Sequence, residues 1–525
     1  MLLRPPLRVN FNYTARRLVT CRRHGSRRQT PASWRNDTTP VFTGTEDNFA
    51  KHTVFAFDLA KRVVKFSSVG ILALGITGWV MFEGVHMWVE HVELALENDQ
   101  ELRQWEWDLE AEKWSGDSTR GGTDPALGFI GRHTVRAAWM AQNWGTGYST
   151  AVIGSNAYSG RGPIGPGSLN VVDARLEHTE DFLRTAISIA ERKNSTGKLH
   201  HQTLEELLAR HATALERMGS PESLSGSRFQ YERVWTGLAG KGINAARTAA
   251  KLGDLNHRLG HANDALDWWS QAIQLTRGGI SQAVGGMPPV IPESPPTSPL
   301  AQRTLISTLV SLSAFYATSR QLRQAQATEE TSLKMLRSIR PPESLASASP
   351  PQALHALYLL HRSSLISIHL AEVLFAQRNP VSVSIQWLGS AAESSERVAY
   401  ALTGLSLIYP NGSDAKSLQA SSAEAPLLPV YSKSHSMRKT ATSLLRDARR
   451  TAAEAWNLMG TLNELSDGSS PEKVLRCYER AIGWAGVATG PGRAEAAEGT
   501  LESDWRVLWG NYCRARNAVE RLAKR

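Results

Sequence analysis

The residues that could do chemistry in this chain are few and scattered. The stretch GPIGPG, residues 162–167, spaces its glycines like a phosphate-binding loop, but it follows no predicted strand, and its prolines lack the N–H groups that hold phosphate. His200 and His201 are adjacent and point apart on a helix, and Glu205 completes one pair rather than a metal cage. We interpret this pair as a contact on a helix surface.

Catalytic motifs do not occur in the sequence either. It contains no G-x-S-x-G, no H-E-x-x-H and no Walker A motif. Cys21, Cys477 and Cys513 are far apart and form no CxxC pair, which indicates free thiols rather than a disulfide framework or a zinc site. We therefore predict that the protein is not an enzyme and has no catalytic, cofactor-binding or metal-binding residues.

The positive charge is concentrated at the amino end. The net charge of the 525 residues is +10, and residues 1–65 hold thirteen Lys and Arg against four acids. Nine arginines and no acid precede Asp37, which is the composition of a mitochondrial transit peptide. We assign residues 1–40 to a transit peptide and 41–65 to a basic matrix-side segment. The alternative is a disordered arm that binds nucleic acid, but we predict no such partner because the later helices carry no dense basic stripe.

An apolar segment follows the basic one. Residues 66–82 have no ionisable side chain, and as a helix they would be about 25 Å long, within the range that spans a bilayer. Trp79 and Trp88 are placed for a membrane interface. We predict a transmembrane helix over 66–88, with a buried core helix as the alternative. Because residues 83–124 carry twelve acids against three bases, the positive-inside rule puts the amino end in the matrix and the rest in the intermembrane space.

The body of the chain has the pattern of helices that repeat. Residues 89–170 form an acidic and then Gly-rich spacer, and from 171 to 525 apolar residues recur with a period near 3.6. The window at 252–273 has the spacing of a tetratricopeptide repeat: Gly253, Ala265 and Ala272 allow two helices to approach closely, and Trp269 packs against the next pair. The predicted fold is all-α, a tetratricopeptide-like α-solenoid preceded by a single transmembrane helix.

Three further windows fit the same frame. Their matching positions are Leu312, Ser313, Tyr316, Ala325 and Ser332; then Ala371, Leu374, Val383, Trp387 and Ser390; then Trp456, Gly460, Val474, Tyr478 and Ala481, with two extra residues in the turn. Pro-rich insertions at 285–300, 341–351 and 409–436 separate the copies as loops. A helical bundle without repeats remains the alternative.

The inner face of such a solenoid is built from first-helix residues that its packing frame does not use. Here these form a mixed polar and apolar groove that suits an extended or helical segment of another protein. The predicted protein-binding residues are Asp254, His257, Arg258, Glu372, Phe375, Asn457, Thr461 and Glu464.

The span at 66–82 and the repeats at 253–481 together resemble a fungal mitochondrial family, the tetratricopeptide-repeat adaptor subunit of the i-AAA protease of the inner membrane. The resemblance implies a repeat domain in the intermembrane space that presents unfolded substrates to the protease, in mitochondrial protein quality control. Its implied partners are AAA protease subunits and unfolded proteins. The alternative is an assembly or import factor for an inner-membrane complex.

Overall fold

A computed structural model describes residues 46–114, 121–145, 151–153, 171–278, 289–345, 347–404, 426–466, 470–490, 493–496 and 505–523. The predicted transit peptide, the GPIGPG stretch and most of the third insertion lie outside these ranges. The chain divides into two compact units, Met1–Trp79 and Val80–Arg525. Each unit is described by itself below.

Helix α1, Glu46–Trp88, supplies the described part of the first unit. Its apolar side chains are exposed, with Ile71 at 72% and Leu74 at 75%. Among the described residues, two helices are long and apolar enough to cross a membrane, Lys51–Glu93 and Pro350–Ala376. The first has no buried residue in its most apolar window, whereas 56% of that window is buried in the second. The second is therefore a core helix, and the first is the candidate span.

The second unit is built almost entirely from helices. Besides its longer helices, it contains a π-helical turn, Val89–Glu93, and a 3-10 turn, Pro125–Leu127. It also contains two pairs of antiparallel strands, β1 (Ala151–Ile153) with β2 (Val171–Asp173) and β3 (Val487–Gly490) with β4 (Arg493–Ala496). The remaining helices are α2 Gln100–Gln104, α3 Trp107–Glu110, α4 Gly128–Trp144, α5 Ala174–Asn194, α6 Thr203–Met218, α7 Pro221–Gly237, α8 Gly242–Arg258, α9 Ala262–Thr276, α10 Pro299–Thr318, α11 Leu322–Ser338, α12 Pro350–Ala376, α13 Val381–Thr403, α14 Leu428–Tyr431, α15 His435–Leu465, α16 Pro471–Ala485 and α17 Trp505–Ala523.

The long helices from α4 onward pack in sequence order. Each one contacts the next, and α8 with α10, α10 with α12 and α12 with α15 also touch. Neighbour-to-neighbour packing with contacts to the next helix but one is the arrangement of an α-solenoid. The all-α prediction is confirmed. In this order α4/α5, α6/α7, α8/α9, α10/α11, α12/α13 and α15/α16 are helical hairpins, and α17 packs on the last of them.

Three of the hairpins share one turn geometry. Gly260, Arg320 and Arg378 stand at equivalent positions after the first helix, and all three have φ between 62° and 86°. In each turn the next backbone N–H donates to the carbonyl oxygen five residues earlier, at 2.8 to 3.0 Å, as from His261 to Asn256. This is the hydrogen bond of a Schellman motif, which satisfies carbonyl groups left open at a helix end. The hairpins are therefore geometrically repeated units.

Glycines allow the close approach of the two helices in two hairpins. A Cβ atom at Gly253 would overlap the ring of Trp269, and one at Gly460 would lie 2.6 Å from Cε1 of Tyr478. Trp269 is fully buried and packs edge-on against Phe315 of the next hairpin, with the ring centroids 5.6 Å apart. The sequence predicted this role for Gly253 and Trp269.

The second copy has Glu329 where the first has Trp269. The Glu329 side chain is 0% exposed, and within the described part of the chain neither carboxylate oxygen has a hydrogen-bond partner. Burial, with the nearby carboxylates of Glu372 and Glu330, raises the pKa of Glu329 to about 8. The group is therefore mostly protonated at neutral pH.

The prolines of the insertions also start helices. Pro299 opens α10 behind Ser298, whose hydroxyl oxygen accepts the N–H of Ala301 at 3.1 Å, and Pro350 opens α12. Proline suits this position because a helix start has no carbonyl partner for its first N–H groups. Residues 289–298, the described part of the first insertion, are not helical.

Candidate protein-binding surface

The predicted groove residues of the first copy lie in the last turns of α8. Asp254 is half-buried, and a carboxylate oxygen accepts the indole N–H of Trp269 at 3.1 Å. His257 is exposed, with its ring 5.4 Å from that of Phe315, measured between centroids. Arg258 is exposed, and its guanidinium lies 3.7 Å from a carboxylate oxygen of Glu216. His257 and Arg258 can therefore reach a partner, whereas Asp254 also positions the indole.

The residues of the third copy lie in the last turns of α12. Glu372 is exposed, and the Phe375 side chain is 41% exposed. An aromatic ring beside a carboxylate on one open helix end gives a contact for a partner with both apolar and basic groups. These two residues are accessible, as His257 and Arg258 are.

The residues of the fourth copy are engaged by the terminal helix. Asn457 accepts a hydrogen bond from the Asn511 amide at 2.9 Å, and Glu464 pairs with Arg514 at 2.8 Å, both partners being on α17. The Thr461 hydroxyl donates to the backbone oxygen of Asn457 at 3.1 Å. Asn457 and Glu464 thus contact α17, Glu464 remains exposed, and no described contact joins these three residues to those of the other two copies.

The sequence did not predict the role of residues 89–114, which we call the strap. They form part of the segment described above as a spacer, but they lie along the first helices of the hairpins. Glu97 caps α15: its carboxylate accepts the His435 N–H at 2.6 Å and the Ser434 hydroxyl at 2.9 Å. Burial would raise the pKa of Glu97, but hydrogen bonds from Ser436, Ser434 and His435 outweigh burial and lower it.

A second strap carboxylate caps α10. Oε2 of Glu106 accepts the backbone N–H of Leu300 at 2.8 Å and the hydroxyl of Ser298. The backbone of Glu106 has φ of 54°, in the left-handed region that non-glycine residues rarely adopt. The cap satisfies N–H groups that the start of a helix leaves without partners, and it fixes the strap at this end of α10.

Arg303 of α10 is the centre of the contact with the strap. Its guanidinium donates to Glu110 at 2.6 Å, to the Trp105 carbonyl at 3.2 Å and to the Glu106 carbonyl at 3.1 Å. It also donates to Nδ1 of His355 at 3.2 Å. Burial, followed by the charge of Arg303, lowers the pKa of His355 to about 3, so the imidazole is neutral and accepts through Nδ1.

Trp107 is the main apolar anchor of the strap. Its side chain is 0% exposed, and its indole N–H donates to the carbonyl oxygen of Pro351 at 2.9 Å. With Leu102 it joins the core formed by α12, α13, α15 and α16. The strap is therefore part of the folded body.

Basic residues of three other first helices also contact the strap. Glu112 lies between Arg210 of α6, at 3.5 Å, and Lys439 of α15, at 2.5 Å. Burial would raise the pKa of Glu112, but Arg210 and Lys439 outweigh it and lower the pKa. Arg247 of α8 donates to the carbonyl oxygen of Leu109 at 2.8 Å. The strap is thus held by α6, α8 and α15 as well as by α10.

Two cavities flank the strap. One of about 360 Å³ is lined by Glu110, Arg247 and Asp254 among others, and a wider one of about 1160 Å³ is lined by Glu112, Arg217 and others. The described residues contain no group of three or more His, Cys, Asp or Glu side chains that could hold a metal ion. His200 and His201 are exposed.

The strap and the predicted groove use different parts of the same helices. Strap contacts lie in the first half of α8 at Arg247, in the first turns of α12 at Pro351 and at the start of α15 at His435. The predicted residues lie in the last turns of those helices, at 254–258, 372–375 and 457–464. The last turns of α8 and α12 are therefore not covered by the strap and are accessible to a partner protein.

The chain is a helical solenoid with a long apolar helix at its amino end and an acidic segment bound along its first helices. No protein-family model matches this chain, and no curated protein is similar to it in sequence.

Proposed function

We propose that this protein is a membrane-anchored scaffold that binds other proteins and has no catalytic role. One observation carries the proposal: the apolar side chains of α1 are exposed, with Leu72 at 64%, whereas α12, the other described helix that is apolar enough to cross a membrane, is a core helix. A row of exposed apolar side chains of this length is costly in water and suits a bilayer. The anchor is the span predicted at 66–88.

The binding surface is proposed at the open last turns of α8 and α12, around His257, Arg258, Glu372 and Phe375. The repeated turn geometry and the glycine-to-aromatic contacts support tetratricopeptide-like repeats, which commonly bind segments of other proteins. The strap supports a role for these last turns because it occupies the other half of the first helices.

We further propose a mitochondrial inner-membrane location, with the amino end in the matrix and the solenoid in the intermembrane space, and a role as a substrate-recruiting adaptor of a membrane AAA protease. The charge difference across residues 66–82 supports the orientation. The resemblance to the adaptor family supports the role. An assembly or import factor would have the same anchor and would differ in its partner.

Protease protection tests the location. A carboxyl-terminal tag should survive protease in intact mitochondria and be lost after rupture of the outer membrane, while the protein resists carbonate extraction. A tag that stays protected after rupture would place the solenoid in the matrix and contradict the adaptor role. Release by carbonate would contradict the anchor.

Affinity capture from detergent extracts tests the role. The wild-type protein should capture the AAA protease, and Phe375→Glu should reduce the captured amount several-fold because a charge replaces an exposed apolar contact. Phe229→Glu is the matched control, since Phe229 is 55% exposed on α7, a helix that carries none of the proposed surface residues. Capture of subunits of another inner-membrane complex in place of the protease would favour the assembly factor.

A further inference from the structure

The start of α4 presents apolar side chains that the solenoid does not cover. Phe129 is 60% exposed and Ile130 is 69% exposed, side by side in the first turn of the helix. Two adjacent large apolar residues at a helix start are unusual on a surface in water, where the first turn commonly carries acids. This tip is therefore a candidate contact surface.

The tip lies beside the end of the apolar segment of α1. His133, one turn along α4, has Nε2 at 2.9 Å from a carboxylate oxygen of Glu83, and its ring stacks on Phe82 with the centroids 5.8 Å apart. The ring of Phe129 is 4.0 Å from the same imidazole, between centroids. Phe82 is the last residue of the apolar segment and Glu83 is the first ionisable one after it. Phe129 thus stands at the level where that segment ends.

A second network keeps α4 in this place. The carboxylate of Glu90, in the π-helical turn after α1, accepts hydrogen bonds from Arg132 at 2.9 Å and from the Thr123 hydroxyl at 2.8 Å. Arg136 lies 3.5 Å from the same carboxylate. Burial would raise the pKa of Glu90, but the bonds from Thr123 and Arg132 outweigh it and lower the pKa. The carboxylate is therefore ionised and holds α4 against this turn.

A basic loop without acids lies next to the tip. Residues 192–201, which are the last turn of α5 and the loop that follows it, contain Arg192, Lys193 and Lys198 and no Asp or Glu. Nζ of Lys193 is 3.3 Å from the place where a Cβ atom of Gly128 would stand. Asp124 lies just before the tip, and its carboxylate accepts the His200 N–H at 2.9 Å. This hydrogen bond holds the loop next to the tip.

We propose that the tip and the loop form a second contact with the membrane, which we call the docking edge. Phe129 and Ile130 enter the boundary between headgroups and acyl chains, and Arg192, Lys193 and Lys198 bind the phosphates of anionic phospholipids. The combination of exposed apolar side chains with neighbouring cations is the chemistry that binds such surfaces. The proposal rests on the proposed span, because the bilayer is the occupant only if α1 crosses it.

Spin labels at single cysteines test the proposal in the full-length protein, with Cys21, Cys477 and Cys513 replaced. The protein is reconstituted in vesicles of phosphatidylcholine and phosphatidylglycerol, and the label is placed at Leu72, Ile130 or Phe229. The measurement is the collision rate of each label with oxygen and with a water-soluble nickel chelate. A label in lipid collides more with oxygen, which we call the lipid signature, and a label in water collides more with the chelate, which we call the water signature. We expect the lipid signature at Leu72 and Ile130 and the water signature at Phe229.

The three positions separate failure of the docking edge from failure of the anchor. A lipid signature at Leu72 with a water signature at Ile130 would overturn the docking edge and leave the anchor intact. A water signature at Leu72 as well would overturn both. All three positions are exposed, so the label should not disturb the fold.

A charge variant tests the cationic part. With Arg192, Lys193 and Lys198 replaced by Gln, the label at Ile130 should move towards water in the anionic vesicles, while the label at Leu72 is unchanged. An unchanged signature at Ile130 would show that the loop does not bind headgroups and would overturn that part of the proposal.

Discussion

The guanidinium of Arg303 lies 3.7 Å from the centroid of the Trp107 indole ring. The two side chains are 1% and 0% exposed and join the solenoid to a segment almost two hundred residues earlier in the sequence. A cation over an aromatic face is worth about 2 kcal/mol when both are removed from water. This pair adds an aromatic contact to the hydrogen bonds between the strap and α10.

Removal of the indole should release the strap. We expect Trp107→Ala to lower the free energy of unfolding by about 3–5 kcal/mol, the usual cost of deleting a buried aromatic side chain. The variant leaves a cavity and removes the hydrogen bond to Pro351. Denaturant unfolding of the full-length protein in detergent measures the loss, and faster trypsin cleavage at Arg103 reports release of the strap.

Phe229→Ala, at a 55% exposed site, is the control and should change stability by less than about 0.5 kcal/mol. Equal losses in the two variants would contradict the anchoring role.

Gly253 should tolerate no larger side chain. Gly253→Ala places a Cβ atom against the Trp269 ring, and we expect a loss of about 1–3 kcal/mol from overpacking. Gly483→Ala is the control, since nothing lies within 4 Å of its added Cβ and alanine favours helix by up to about 1 kcal/mol. Thermal unfolding compares the two. If Gly253→Ala raised the stability, α8 and α9 could move apart to admit the Cβ atom without a loss of stability.

Glu329 should make stability depend on pH. Burial raises its pKa to about 8, so the folded protein holds a proton that the unfolded chain releases near the ordinary value of 4.5. Between these values, stability should fall as pH rises, by up to roughly 1.4 kcal/mol per pH unit, and level off above pH 8. Glu329→Gln should flatten this slope in denaturant unfolding at a series of pH values. Glu330→Gln, at the exposed neighbour, should retain it.

The left-handed turn at Arg320 should favour glycine. We expect Arg320→Gly to stabilise the protein by about 0.5–1 kcal/mol, since the left-handed backbone costs other residues about 1–2 kcal/mol and the added freedom of the unfolded chain offsets only part of the gain. Ser319→Gly is the matched control. Its backbone has φ of −79°, so glycine should destabilise it by about 0.5–1 kcal/mol. Differential scanning calorimetry of both variants tests the pair, and a loss in Arg320→Gly would show that its side chain makes a contact that outweighs the strain.

The repeated hairpins were predictable because their signals are local. Gly253, Ala265 and Trp269 fall within one window of the sequence, and the structure buries all three. The helical periodicity of the body was equally clear. The prolines were predicted only as loop residues, whereas Pro299 and Pro350 open helices. Contacts between residues a few turns apart leave a pattern that a single sequence reveals.

The strap was not predictable in the same way. Glu97 caps a helix 338 residues later, and no local pattern links a carboxylate to that distant N–H group. The acidic residues after the apolar segment were interpreted as part of a spacer. The signal that was present is the group Trp105, Trp107 and Trp114, because a solvated acidic linker seldom carries three large aromatic side chains. The contacts of Asn457 and Glu464 with α17 were missed for the same reason, because their partners lie about fifty residues later in the sequence.

The strap has a consequence for how the protein folds after synthesis. A solenoid usually folds from neighbour to neighbour, so each unit can form as soon as it leaves the ribosome or the import channel. Here the partners of Glu97 and Glu112 at 434–439 arrive more than three hundred residues after them. Closing such long loops is slow, and until it happens Trp107 and its neighbouring acids are without their final contacts. The early segment therefore depends in part on the last hairpin. A chain interrupted before residue 434 would lack the helix that Glu97 caps and the Lys439 partner of Glu112.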